Sequence, residues 1–568
     1  MRTPAPDAPP VPPVTTGAAH RAVLMVAAAA LAWIPQAALL AHSVQSLADG
    51  AGLAALVAPA IAYLLLGVAR ASAEAWGGRR LFAAARERLA GLRATGARAL
   101  AAGSPLDRSR LPSGAAASAL AEQAEAVLPW LVRYQPARWR VMLVLPAIAL
   151  VVATQSWAAA LILAGAAPLI PLFMAVIGWR AQAASAAQLQ VAGGMNGFLL
   201  DRLRGLSTLR ALGAVDATAR RLRGSAEALR AGTMRVLRIA FLSSTALELF
   251  SALGVALVAV YIGFHLLGQI GPGSWGGRLT LEQGLFILLL APAFFEPLRE
   301  LAAVWHDKAA GEAAFAALDA LGRDSVPLPG ALAGPAGATT GARDAAPPRA
   351  AAVDIDDLHF AHAGEAPLFA GLSLRIRAGE HVALVGPSGS GKTALLSLLA
   401  GLLPATSGTV RIGDTALDDD SAAGLRARMA WIGQKPHVFA GTVRANVSLQ
   451  RPGVTTAGVG AAIDGAGLGH VRHATPDDSL GEGGGGLSGG ELVRLALARA
   501  AVVPQAGLLL ADEPTAHLDR DTAAAVIDAL LRLAAGRTLI VATHDLALAS
   551  RIGRVVDLGT LRGMKEAA

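Results

Sequence analysis

Cysteine is absent from all 568 residues. Structural disulfides, thiolate metal sites and redox catalysis by the chain itself are therefore excluded. No secretory signal is expected either: the opening residues, MRTPAPDAPPVPPVTTG, are Pro-rich and polar, and no apolar core follows a basic start. Residues 1–19 read as a disordered tail. The positive charge lacks the pattern of a nucleic-acid binder. Net charge is +8 and the isoelectric point is near 10.5. Most of it is Arg lying between hydrophobic runs, whereas a nucleic-acid binder would cluster it on a surface. No nucleic-acid partner is expected.

Apolar residues are abundant instead, at 54%, with a mean hydropathy of +0.50. Both values are high for a soluble protein, and the length predicts two or more domains. A membrane-crossing helix needs about 20 apolar residues. Six segments qualify: Ala22–His42, Leu53–Ala71, Val141–Trp157, Ala158–Trp179, Ile239–Leu267 and Leu281–Val304. The third and fourth are so close that a tight hairpin is expected. Arg crowds the two long connections, with Arg86, Arg88, Arg93 and Arg98 in one and Arg202, Arg204, Arg220, Arg221 and Arg223 in the other. The short connections near Ala51, Gln155 and Gly271 carry almost none. The positive-inside rule then puts both long loops and both termini in the cytoplasm.

Those loops have helical composition and few breakers, so the membrane helices are expected to continue well beyond the bilayer. Each is expected to turn through a short transverse helix, near Pro112–Ala119 and near Arg204–Gly213. A separate small soluble subdomain is the alternative, but the loops are too short and charged to bury a core. Residues 20–322 thus form a six-helix membrane domain. A Pro, Gly and Ala-rich linker follows at 323–350. From 351 to 563, short apolar runs alternate with helical patterns, which predicts an α/β domain with a mainly parallel sheet. Residues 564–568 are a tail.

GPSGSGKT comprises Gly386, Pro387, Ser388, Gly389, Ser390, Gly391, Lys392 and Thr393. It follows an apolar strand and opens a helix. Main-chain N–H groups can curl around a phosphate there, reinforced by the helix dipole. Lys392 would reach the β and γ phosphates of ATP and Thr393 would ligate Mg²⁺. A Gly-rich structural turn is the bland alternative. LLLADE at Leu508–Glu513 ends a strand in two carboxylates. Asp512 is then placed near Mg²⁺, and Glu513 is placed to polarise the attacking water.

LSGGE, formed by Leu487, Ser488, Gly489, Gly490 and Glu491, closely resembles the signature of ABC cassettes, which usually ends in Gln. The resemblance implies that Ser488 and the glycines face ATP held on an opposing cassette. It also implies a D-loop at Ala516–Asp519, a switch residue at His544, a Mg²⁺ and coupling contact at Gln434, and a coupling-sensing loop through Glu482. Two departures stand out. ABC cassettes usually stack adenine on Tyr, but the segment here is HFAHAG, so His362 or Phe360 must serve. Val493 stands where Gln is commoner, while Arg494 is kept.

A membrane domain placed before the cassette resembles the exporter class. The stretches at Thr233–Leu267 and Leu279–Ala310, with GFLLDRLRGLSTLRALGA and DEPTAHLD, are similar to the CydD subunits of the thiol-reductant ABC exporters. That resemblance implies a heterodimer with a CydC-like half in the bacterial inner membrane. The cargo would be cysteine and glutathione, moved from cytoplasm to periplasm in support of cytochrome bd assembly. Haem is linked to the family as ligand or cargo. Other amphiphilic cargo, or an assembly ATPase that moves nothing, are the rival readings.

Several membrane residues carry paired expectations. The family's carboxylate after Ala-Pro in the sixth span is Ala293 here, and Glu296 lies one turn on. Glu296 either substitutes for it in recognising cargo or pairs with Arg299. Glu248, inside the fifth span, either lines the transport path or has a structural partner such as Arg238 or a hydroxyl. His42 and His265 are either haem ligands or interfacial residues. His306 reads as interfacial or packing, and Trp33, Trp76, Trp157, Trp179 and Trp305 as mostly interfacial anchors.

Overall fold

The computed structural model describes residues 17–170, 172–173, 198–199, 202–203, 205–321, 325–331, 349–471, 474–481 and 486–559. The chain divides into two compact units. One is Met1–Gly96 with Pro112–Ala320, the other Ala97–Leu111 with Leu321–Ala568.

The first unit is helical. α1 (Gly17–Ala29) passes through a 3-10 turn into α2 (Trp33–Ala48). Then come α3 (Val57–Ala102), α4 (Ser113–Ala121), α5 (Gln135–Gln155) and α6 (Trp157–Ala166). α7 (Leu206–Ala211), α8 (Val215–Leu266), α9 (Leu281–Ala303) and α10 (Trp305–Ala320) complete it. Among the described residues, four helical stretches are long and apolar enough to cross a membrane: Ala19–Ala48, Leu53–Ala102, Ser113–Gln155 and Thr245–Leu266. The fourth expected span begins as α6, and much of its remainder, with Trp179, lies outside the described residues. The sixth is the 23-residue α9.

α3 has 46 residues and α8 has 52. At ~1.5 Å per residue they reach ~69 and ~78 Å, more than twice a hydrocarbon layer of ~30 Å. They therefore continue past the bilayer, as their composition suggests. Short helices stand near both expected transverse positions, α4 and α7. Leu64, Leu65 and Val68 of α3 remain exposed, as side chains facing lipid do.

The tight hairpin between α5 and α6 turns on Ser156. Its Oγ accepts from Ala159 N at 3.2 Å, capping α6, and donates to Gly273 O at 2.6 Å. Tyr261 Oη lies 3.0 Å from the same hydroxyl. Gly273 has φ +129, and a Cβ there would fall 2.1 Å from Tyr261 Oη. Only glycine fits both demands. α9 starts with a capping box between Thr280 and Gln283. Ile148, Leu163, Ile262, Ile287, Leu290 and Phe295 form the heart of this unit's core.

The second unit holds the cassette. Val353–Phe360 (β1), Phe369–Ile376 (β2), Ser407–Ile412 (β4) and Thr415–Ala416 (β5) make an antiparallel sheet ordered β2-β1-β4-β5. His381–Val385 (β3), Met429–Ile432 (β6), Leu508–Asp512 (β9), Thr538–Ala542 (β10) and Arg554–Asp557 (β11) make a parallel sheet ordered β11-β3-β10-β9-β6. Gly441–Thr442 (β7) and Ser479–Leu480 (β8) pair separately. β9 and β10 are buried along their whole length, which is why LLLAD and TLIVA read as unbroken apolar runs. Around the sheet lie α11 (Lys392–Leu399), α12 (Gly489–Ala501), α13 (Arg520–Ala534) and α14 (Leu546–Ile552).

Part of the expected linker is hydrogen-bonded. Gly103 and Pro327 form an antiparallel bridge, with Ser104 N donating to Val326 O and Leu328 N to Ala102 O, each at 2.8 Å. Asp107 Oδ2 accepts from Val326 N at 2.8 Å. Most of the rest of 323–350 lies outside the described residues.

Candidate functional site

The loop between β3 and α11 wraps the start of the helix. Gly391 caps α11 at φ +98, and a Cβ on it would meet the Phe369 ring at 2.8 Å. The loop main chain must therefore pass close over the core, and a side chain would displace it. Lys392 is buried, and its Nζ donates to Gly386 O at 2.7 Å and Pro387 O at 3.1 Å. Ser390 Oγ is buried and has no hydrogen-bond partner among the described residues. A buried hydroxyl in that state is a donor that a phosphate oxygen at this loop would satisfy.

Three parallel strands bring the remaining groups to the same edge, outside their carboxyl ends. β9 delivers Asp512 and Glu513, β6 leads through Gly433 to Gln434, and β10 leads through Thr543 to His544. The Thr393 hydroxyl donates to Asp512 Oδ2 at 2.9 Å and Oδ1 at 3.1 Å. Burial pushes the Asp512 carboxyl up, the Thr393 hydroxyl opposes that, and the neighbouring Glu513 charge adds to it. A cation beside Asp512 would reverse this balance. Hydroxyl and carboxylate oxygens, with an amide oxygen from Gln434, are the hard donors that suit Mg²⁺.

Glu513 occupies a left-handed conformation at φ +45 while its N–H donates to Ala542 O at 2.8 Å. Such backbone strain persists where the surroundings enforce it, and it often marks reacting sites. Gln434 Nε2 donates to Glu513 Oε2 at 3.1 Å. His544 Nδ1 stands 3.3 Å from Glu513 Oε1. Gln434 and His544, read separately from the sequence, therefore meet on the Glu513 carboxylate.

The signature residues form another feature. Ser488 caps α12: its N–H donates to Glu491 Oε2 at 2.7 Å, and its Oγ accepts from Glu491 N at 3.4 Å. Glu491 thus closes a capping box that a Gln could also close. Leu487 packs against the cassette core, and a Cβ on Gly490 would strike Thr522 Cγ2 at 2.4 Å. Asp519 caps α13 by accepting from Thr522 N at 2.9 Å. That backbone N–H holds the Asp519 carboxyl below its usual range, aided by the Thr522 side chain. Glu482 lies outside the described residues.

Phe360 and His362 part company. Phe360 is buried in the core beneath β1, and His362 stands half-buried against it, ring centroids 5.0 Å apart and nearly perpendicular. The accessible ring is the imidazole.

In the membrane unit, Glu296 pairs with Arg299, the plainer of its two expectations. Arg299 Nη1 also lies 3.9 Å from Glu248 Oε1. The charge facing Glu248 is thus Arg299, whereas the sequence offers Arg238 or a hydroxyl as the structural alternatives to a place on the transport path. The i, i+3 spacing of Glu296 and Arg299 was legible in the sequence, whereas the contact from α9 to α8 required the fold. His265 is fully buried, with its Nδ1 3.4 Å from Leu279 N and its ring 5.6 Å from that of Tyr261, so the interfacial reading fails there. His42 lies 3.3 Å from Glu282, and His306 lies 3.1 Å from Asp307. Trp33 donates to Leu289 O at 3.2 Å, which makes it a helix-packing residue.

Known proteins agree with this arrangement. Residues 369–516 match the ABC transporter family, and residues 110–297 match the ABC transporter transmembrane region. The Escherichia coli (strain K12) glutathione/L-cysteine transport system ATP-binding/permease protein CydD is 37% identical over 79% of this chain and 76% of its own length. The Haemophilus influenzae protein of the same name is 35% identical over 78% and 73%. A Bacillus subtilis CydC of that transport system is 30% identical over 74% and 72%. The structure of a bacterial Atm1-family ABC exporter with ATP bound superposes with a TM-score of 0.71 over 96% of this chain and 95% of that one; at 21% identity it speaks for the fold alone. With such identity over about three-quarters of the chain, and a P-loop, signature and paired carboxylates in one cassette, this chain belongs to the ABC transporter family, among its CydD-type ATP-binding/permease proteins.

Proposed function

We propose that this chain is one half of an exporter that moves L-cysteine and glutathione out of the cytoplasm. Membership of the family makes it a multi-pass membrane protein and a transport-coupled ATPase. The thiol cargo is inferred from the relatives' transport role. Hydrolysis competence rests on one observation, the convergence of Gln434 and His544 on the Glu513 carboxylate.

Main-chain N–H groups of Gly386–Thr393 receive the phosphates, and Lys392 exchanges its two carbonyl contacts for phosphate oxygens. Ser390 Oγ finds its acceptor there. Thr393, Asp512 and Gln434 would hold Mg²⁺, which supplies charge neutralisation at the phosphates when bound. Glu513 orients the attacking water and accepts its proton. His544 donates to the γ-phosphate. His362 covers the adenine face, with Phe360 as its support. Leu487–Glu491 and Asp519 serve ATP held by a second cassette, so a CydC-like half completes both sites. Closure of the two cassettes then favours the outward-open state of the membrane helices.

We assign residues 20–322 to the membrane domain, 323–350 to a linker and 351–563 to the cassette. The Arg-rich loops put the cassette and both termini in the cytoplasm, at the bacterial inner membrane. Inside-out vesicles containing the chain and its partner half test the reading. ATP-dependent uptake of labelled glutathione that disappears in Glu513→Gln supports export. ATPase activity without uptake overturns it.

A further inference from the structure

L-Cysteine and glutathione share a thiol and an amino-acid head, an α-ammonium and α-carboxylate on one carbon. A chain without cysteine cannot read the thiol by disulfide exchange. The zwitterionic head is the remaining common handle, and the membrane unit carries a set of charges that matches it.

Arg299 on α9 stands between two carboxylates, Glu296 one turn before it and Glu248 on α8. The side chains of Glu248 and Arg299 are 79% and 37% exposed. At 3.9 Å their contact is too long for a hydrogen bond, so each can take another partner. Arg299 Nε is enclosed and has no hydrogen-bond partner among the described residues. One guanidinium between two carboxylates leaves a surplus negative charge, which is costly within a membrane helix unless a cation or water meets it. Depth agrees. Glu248 lies eighteen residues before the end of α8 at Leu266, and Glu296 fifteen residues after the start of α9 at Leu281. At ~1.5 Å per residue these are ~27 and ~22 Å from the outer helix ends, in the cytoplasmic half of a ~30 Å layer. Cargo leaving the cytoplasm meets that level first.

We infer that Glu248 and Arg299 bind the α-amino-acid head of the cargo, with Glu296 positioning Arg299. Glu248 takes the ammonium, Arg299 takes the carboxylate, and Glu296 fixes the guanidinium. The inference rests on the thiol-export reading and refines it: the thiol itself goes unread, and any ligand with the same head competes.

The test measures competition against labelled glutathione uptake in inside-out vesicles holding the chain with its partner half. S-Methylglutathione keeps the head and blocks the thiol. N-Acetyl-L-cysteine lacks the ammonium, and cysteamine lacks the carboxylate. S-Methylglutathione is expected to match unlabelled glutathione within about twofold, with the other two at least about tenfold weaker, the scale for one lost charge contact. Glu248→Gln should remove the discrimination against N-acetyl-L-cysteine, and Arg299→Gln should raise the KM for glutathione about tenfold. Competition that follows the thiol instead of the head overturns the site. So does unchanged discrimination in an assembled Glu248→Gln complex. The competitor series on the unaltered complex decides the matter even if a variant fails to assemble. Absence of any uptake by the unaltered complex sinks the export reading itself, a separate outcome.

Discussion

Thr393 and Asp512, 119 residues apart, are joined by a hydroxyl that donates to both carboxylate oxygens at 3.1 and 2.9 Å. This contact ties the first turn of the phosphate-binding helix to the end of the central strand. It brings together two oxygen donors of the kind that suit one hard cation.

Magnesium–nucleotide affinity should fall with pH in a way that depends on Asp512. Burial raises its carboxyl above the ordinary 3.8, so the nucleotide-free fold holds this proton more tightly than the unfolded chain does. The contribution of that proton to stability is fully present below the unfolded value and is lost as pH rises through the raised folded value. Cation binding needs the ionised form. Affinity therefore weakens, with proton release on binding, as the pH falls from neutral through the raised value towards about 4. Titrations of nucleotide affinity with Mg²⁺ at several pH values check this. Asp512→Asn should bind weakly and lose most of the pH dependence, and a flat profile in the unaltered protein counts against the assignment.

Glu513→Gln should retain nucleotide binding while reducing kcat by about 10²–10⁴, the usual contribution of a positioned base. The amide keeps the size of the side chain but accepts no proton. Phosphate release and nucleotide binding, measured on one sample, separate these effects. A matching loss of affinity would mean that the carboxylate serves binding instead.

Substituting the accessible imidazole tests base recognition. His362→Tyr should lower the KM for ATP severalfold, since base–aromatic stacking contributes about 1–3 kcal/mol. Phe360→Ala should instead lower the melting temperature of the cassette, because a buried Phe truncation costs about 3–5 kcal/mol. ATPase kinetics and thermal unfolding distinguish the two positions.

Gly391→Ala combines two faults, a Cβ 2.8 Å from the Phe369 ring and a φ of +98 that L-residues resist. Nucleotide binding should be lost with little change in helix content by circular dichroism. Gly389→Ala, at φ +84 with no atom within 4 Å of the new Cβ, should be milder. Equal effects would show that backbone conformation alone limits the loop.

The sequence by itself determined the parts that depend on local pattern. Apolar runs about 20 residues long, separated by Arg-rich segments, marked the chain as a multi-pass membrane protein. The glycines ahead of Lys392, the carboxylates ending Leu508–Glu513 and the capping box of Ser488 and Glu491 are likewise set by neighbours in the chain. Contacts between distant segments needed the fold, because one sequence pattern is compatible with many lateral pairings. Only the parallel order β3-β10-β9-β6 brings Gln434 and His544 to Glu513. Only the core packing of β1 puts Phe360 inside and leaves His362 accessible. Enclosure of His265, and the choice of Arg299 over Arg238 as the partner of Glu248, also came from tertiary structure. Helix periodicity says which residues share a face but not which neighbouring helix that face meets.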